Sequence, residues 1–113
     1  MMKRMMKKSS HTTPRSEVQD FQQIKNIGPA LADDFRRLKL RGPQALIGKD
    51  PFELYRKICK VDGVFHDPCV LDCFISAVEF MNGKRPQDWW AFTKNRKKQY
   101  TEKIQQLREL YRG

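Results

Sequence analysis

Phe21-Gln22-Gln23-Ile24-Lys25-Asn26-Ile27-Gly28-Pro29-Ala30-Leu31-Ala32-Asp33-Asp34-Phe35-Arg36-Arg37-Leu38 is the stretch that decides the fold. Val18, Phe21 and Ile24 space the inner face of one short helix, and Leu31, Phe35 and Leu38 do the same for a second. Between them the chain must turn sharply. Gly28 closes that turn, tolerating a positive φ and the close approach of another group. Pro29 is pre-set for the first helical position, where its missing N–H is no loss. The next amides of the second helix lack intrahelical partners and, with the helix dipole behind them, favour a phosphate. Ala32, one turn in, is small enough to let the two helices clasp.

Reading outward, Gly42 and Pro43 punctuate a turn over residues 40–43, and residues 44–47 can form a further short turn of helix. Asp50, Pro51 and Glu53 are a strong start signal: Asp at the N-cap, Pro at the first position, and Glu able to reach back to the cap. A third helix then runs to about Lys60 and buries Leu54, Tyr55 and Ile58. Asp67 and Pro68 repeat the signal and open a fourth helix, with Val70, Cys73, Phe74, Ala77, Phe80 and Met81 on its inner face. Asn82-Gly83 stops it. The expected fold class is all-α, a compact domain of four to five helices. A chain of 113 residues supports one modest core. The intervening loop Val61-Asp62-Gly63-Val64-Phe65-His66 reads as a degraded second hairpin. Two such hairpins about a pseudo-twofold axis would grip a duplex better than one.

The 26–32 segment resembles the helix-hairpin-helix (SAM-like) motif, which binds the DNA backbone without sequence preference and whose hairpin usually reads Gly, apolar, Gly. Asn26 stands in the first glycine place, Ile27 in the apolar place and Gly28 in the second glycine place, with Ala32 as the small helix residue. Asn tolerates the left-handed region better than most residues, so the turn survives, but its side chain is expected to crowd a phosphate. From Phe21 to Trp90 the chain is similar to the small bacterial "pathogenicity locus" proteins. These are themselves similar to the C-terminal domain of competence regulators and to mitomycin-resistance-associated proteins. Asn26-Ile27-Gly28-Pro29, Asp50-Pro51-Phe52-Glu53-Leu54-Tyr55, Asp67-Pro68-Cys69-Val70-Leu71 and the pair Trp89-Trp90 carry the likeness. It implies a helix-hairpin-helix core and a link to DNA rather than a reaction.

The formal net charge of +10 invites a nucleic-acid partner, and its placement is uneven. Lys3, Arg4, Lys7, Lys8 and Arg15 against Glu17 and Asp20 give residues 1–20 a net +3. Lys84, Arg85, Lys94, Arg96, Lys97, Lys98, Lys103, Arg108 and Arg112 against Asp88, Glu102 and Glu109 give residues 84–113 a net +6. The middle contributes only +1, with a local cluster of Lys25, Arg36, Arg37, Lys39 and Arg41. If DNA binds, the hairpin amides position a phosphate or two while the ends supply the salt-sensitive attraction. The alternative is that both ends are simply solvated.

Beyond Pro86 the sequence changes character. Trp89, Trp90 and Phe92 precede the basic run 94–98, and Tyr100, Ile104, Leu107 and Tyr111 follow at helical spacing. The structural reading has the Trp pair sealing the core edge and the last helix laying a narrow apolar stripe on the domain or on a second copy. The functional reading has aromatics interleaved with Lys and Arg for base stacking.

Cys59, His66, Cys69 and Cys73 could together offer soft ligands to zinc. No Cys-x-x-Cys pair is present, buried Cys is an ordinary core residue, and the odd count in a reducing compartment favours free thiols. No metal and no cofactor are therefore expected. Cys69 near a helix start, with His66 close by, is the best nucleophile, but no third orienting group accompanies it. Asp50, Glu53 and Asp67 already have capping roles, so no catalytic residue is nominated and the protein is not expected to be an enzyme.

No apolar stretch approaches the roughly 20 residues that span a bilayer, and the start of the chain lacks the apolar region of a secretory signal. A cytoplasmic protein without a membrane partner is expected. Its parts are a basic disordered extension over 1–15, the helix-hairpin-helix domain over 16–92 and a basic amphipathic helix over 93–113. The expected function is non-specific binding to DNA backbone phosphates, accessory to DNA processing or repair, through Lys25, Asn26, Ile27, Gly28, Ala30, Arg36, Arg37 and Lys39. The competing expectation is a scaffolding module of the same fold without DNA contact. It would dock a protein partner, or a second copy, through Tyr100, Leu107 and Tyr111.

Overall fold

A computed structural model describes residues 14–112. The extension expected over 1–15 therefore lies, apart from Pro14 and Arg15, outside the described residues. Four α-helices, α1 (Pro29–Arg37), α2 (Pro51–Asp62), α3 (Pro68–Met81) and α4 (Thr93–Leu110), are joined by 3-10 turns, with no strand among the described residues. The all-α expectation holds.

The helix α3 is the axis of the molecule. Every residue from Leu71 to Val78 is buried, including Asp72 and Ser76, because a helix apolar nearly all round must be covered on every side. Phe21, Phe35 and Phe74 stack in series through the core, with centroids 5.0 and 4.8 Å apart. Leu54, Tyr55, Ile58 and Cys59 of α2 close the adjoining side.

The aspartates foreseen as caps act as such. Asp50 accepts a hydrogen bond from Phe52 N and Asp67 from Cys69 N, with Pro at the first position of each helix. At the far end of α2 Gly63 takes the left-handed C-cap conformation, φ +69°. At the end of α3 the Asn82 amide donates to Val78 O (2.7 Å) and its carbonyl accepts from Gly48 N (3.2 Å), while Gly83 N donates to Phe80 O.

One helix is corrected. The segment before the hairpin is not an α-helix but two isolated 3-10 turns, Arg15–Glu17 and Phe21–Gln23, separated by extended residues. Asp20 caps the second turn in a full capping box with Gln23, and Ile24 is again extended (ψ 131°). Val18, Phe21 and Ile24 are buried as foreseen. Their spacing of three suits the 3-10 repeat as well as it suits an α-helix.

The C-terminal helix belongs to the core. Ile104 and Leu107 are buried, Tyr100 stacks on Phe52 at 5.6 Å and 11°, and Phe92 seals the entry. Asp72, wholly inaccessible, accepts from Arg96 Nε (2.9 Å) and from the Thr93 hydroxyl (2.8 Å), clamping α4 to α3.

Candidate nucleic-acid interface

Asn26 carries the turn. Its φ of +76° is left-handed, whereas Gly28 sits at φ −91°, ψ −171°, extended backbone open to any residue. The conformational role that the sequence assigned to the glycine thus falls to the asparagine. The expected crowding by its side chain is also corrected. Asn26 Nδ2 turns inward, donating to Ser76 Oγ (2.9 Å) and to Gln87 O (2.7 Å). The outer side of the turn is left to backbone.

Ile27 is buried beneath the turn and Ala32 is wholly buried, so the hairpin is tethered at both flanks. A β-carbon added at Gly28 would meet nothing within 4 Å. Neither backbone conformation nor internal packing requires glycine there. The other two helices opening at Pro are capped by Asp side chains, but α1 opens at Gly28 with no side-chain cap. Among the described residues no side chain caps the start of α1, and its first amides carry the positive end of the helix dipole.

The basic residues named with the hairpin are spread along α1. Lys25 Nζ lies 3.1 Å from Asp88, with both side chains roughly half exposed. Arg36, Arg37 and Lys39 stand at the other end of α1, about 12 Å from Pro29 at 1.5 Å per residue. Arg36 is 3.7 Å from Asp20. Arg37 is tied to Asp33, Asp34 and Asp62, which fastens α1 to the end of α2. Those carboxylates hold the guanidinium charged even more firmly than usual, and Arg37 in turn holds Asp62 below the usual carboxylate range. Asp34 moves the opposite way because its burial outweighs its bond to Arg37. Lys39 is exposed, left-handed (φ +69°), and free of ion pairs among the described residues.

The loop 63–66 is knotted back onto α2. His66 N donates to Cys59 Sγ (3.4 Å), the Tyr55 hydroxyl donates to His66 O, and His66 Nε2 lies 2.6 Å from Asp62. Cys59 and Cys73 are buried and Cys69 is partly so. Burial pushes all three thiols up, Cys73 to about 11, away from the thiolate that a nucleophile or metal ligand must be. Among the described residues no group of three His, Cys, Asp or Glu side chains is gathered as a metal site. Nor is any described helix long and apolar enough to cross a membrane.

Ser76, Gln87 and Asp88 belong to the hairpin's surroundings and were not foreseen. Ser76 lies 50 residues from Asn26 along the chain, and no local pattern announces such a pairing. Asp88, immediately ahead of the Trp pair, carried a faint signal as a helix-start aspartate.

A family model described as "Pathogenicity locus" matches residues 14–98. The mitomycin resistance protein McrB of Streptomyces lavendulae is 34% identical over 83 residues, covering 74% of this chain and 79% of the relative. No solved structure matches.

Proposed function

The chain belongs to the pathogenicity locus family, and from that premise we propose that it binds the DNA backbone without sequence preference, as an accessory to DNA processing or repair. The turn at 24–28 and helix α1 form, in this reading, a helix-hairpin-helix unit whose first arm is reduced to a 3-10 turn, akin to the C-terminal domain of competence regulators. The observation that carries the proposal is the uncapped start of α1. Amides at Ala30 and Leu31 that no side chain caps among the described residues, and open space over Gly28, fit a phosphate oxygen. Asn26, turned inward, leaves that space clear. Lys25 and Lys39 add charge at the two ends of α1, and the basic ends of the chain supply the salt-dependent attraction. Arg36 and Arg37 divide their charge between DNA and the carboxylates that hold them.

A second reading, a scaffolding module, is favoured by a groove of about 360 Å³ lined by Phe52, Glu53, Arg56, Lys103, Leu107 and Leu110. Leu110 is 76% exposed at its rim. Tyr100 and Leu107, given to a partner by the sequence reading, are instead largely spent on the protein's own core.

Fluorescence anisotropy with a labelled duplex separates the two. The proteins compared are the full chain, Gly28→Glu, and a chain beginning at residue 14, each at two salt concentrations. A truncation at 92 is unsuitable, because it strips Arg96, Ile104 and Leu107 from the core. Gly28→Glu is expected to weaken binding about tenfold or more, since it sets a carboxylate where a charge-assisted phosphate contact would form. Removing Lys3, Arg4, Lys7 and Lys8 is expected to flatten the plot of log K against log salt, by about 0.9 for each phosphate no longer neutralised. Parental affinity in Gly28→Glu would overturn the hairpin as the site and return the search to protein partners.

A further inference from the structure

We propose that Trp90 is a stacking platform for an unpaired nucleobase, so that this protein favours DNA with a single-stranded end over fully paired duplex. The inference rests on the DNA-binding reading of the hairpin and adds to it the class of DNA preferred.

Trp90 is 61% exposed, and the other large exposed apolar side chains among the described residues are aliphatic. It is nevertheless fixed in place. Trp89, packed against the core, braces it in a T-shaped pair with centroids 5.6 Å apart at 81°. The 3-10 turn Trp89–Phe92 that carries both rings runs without a break into α4. The turn is also joined to the hairpin. Asp88, its N-cap, holds Lys25, and Gln87 O accepts from Asn26. Trp90 lies two positions, at most about 7 Å of chain, from Asp88, which grips the hairpin lysine.

Charge selects the occupant. Lys94, Lys97 and Lys98, spaced three and four apart, share one flank of the first turns of α4, the helix that the Trp90 turn runs into. Lys84 and Arg85 precede the turn. All five are exposed, and none is in an ion pair among the described residues. Asp88, the acid of this stretch, is already engaged by Lys25. A braced indole near uncompensated cations suits a polyanion that carries flat aromatic groups, and a base leaves its stack to meet a side chain most readily where it is unpaired. An apolar protein segment would leave those cations without partners.

The test uses the full chain, Trp90→Ala, Trp90→Phe and Gly28→Glu. Their affinities are measured for a labelled blunt duplex and for the same duplex with a single-stranded overhang. The parent is expected to favour the overhang by about five- to tenfold. Trp90→Ala is expected to erase that preference while leaving blunt-duplex affinity within about twofold, and Trp90→Phe to keep part of it. An oligothymidylate strand is expected to quench the indole emission of the parent. It should leave the emission of Trp90→Phe, whose remaining indole is Trp89, nearly unchanged. Equal affinity of the parent for both DNAs, or a preference that survives in Trp90→Ala, would overturn the platform. The hairpin reading would still stand in either case if Gly28→Glu failed to hold the blunt duplex. Failure of every protein to bind any DNA would overturn both.

Discussion

Asn26 shows how one side chain can serve fold and site together. Its amide fastens the hairpin to α3 and to the loop ahead of α4, and its backbone supplies the left-handed turn. Replacing it with Ala removes two hydrogen bonds and leaves a β-carbon in a region that few residues favour. The expected cost is about 2 kcal/mol, read as a lower urea midpoint. Asn26→Gly, which relieves the backbone, should cost about half of that. Equal midpoints for Asn26→Ala and the parent would show that the inward bonds do not hold the turn. The position is legible in the sequence as a turn residue, because Asn is tolerant of positive φ. The direction of its side chain is not, since Ser76 and Gln87 approach from segments 50 and 61 residues away. Gly28 reads as a residue the backbone needs, and it proves to be one that the backbone does not need.

Among the elements, α4 is joined to α3 by a buried polar contact as well as by its apolar face. Asp72 has no accessible surface and meets Arg96 and Thr93. Asp72→Ala would strand the Arg96 guanidinium against apolar neighbours, and removing one partner of such a pair costs about 3 kcal/mol or more. Hydrogen exchange across α4 is expected to rise well before exchange in α3 does. Asp72→Asn keeps one acceptor oxygen for Arg96, with its amide nitrogen able to donate to the Thr93 hydroxyl, and should lose less. Unchanged protection of α4 in Asp72→Ala would show that Tyr100, Ile104 and Leu107 hold the helix unaided. The starts of α2 and α3 can be read from the sequence because Asp-Pro states both the cap and the first turn. The first arm of the hairpin cannot, because apolar spacing of three with few helical turns around it does not separate 3-10 from α. The burial of Asp72 is hidden as well, since its partner arrives from another helix.

Across the whole molecule, acid should act through carboxylates that the fold keeps ionised. Asp62 is held below its ordinary range by Arg37, Asp67 by the Cys69 amide, and Glu53 by Arg56. A carboxylate whose folded pKa lies below its unfolded value contributes stability above the unfolded pKa and loses it as the pH falls through the folded one. Asp34, raised by burial, runs the other way and takes up its proton early, at no loss to the fold. The urea midpoint is therefore expected to stay nearly level from neutrality to about pH 5 and to drop below about pH 4. A midpoint rising below pH 4 would mean that Asp34 outweighs the other three. Asp62, Asp67 and Glu53 are exposed or partly exposed, so the drop should shrink in high salt.

The hydrogen bonds that finish α3 also bear on how the protein ages. An asparagine followed by glycine is the pair most prone to lose its side-chain amide, because the glycine nitrogen can swing onto the side-chain carbonyl and close a five-membered imide. In the folded protein Gly83 N is occupied by Phe80 O, and both ends of the Asn82 amide are engaged, by Val78 and by Gly48. Ring closure must wait for that corner to open. Aspartate at position 82 would place a negative charge on the wrong end of the helix dipole and lose the donor that meets Val78, making the next opening easier. Storage damage in this protein should thus accumulate slowly at first and then feed itself, with unfolded molecules as its source.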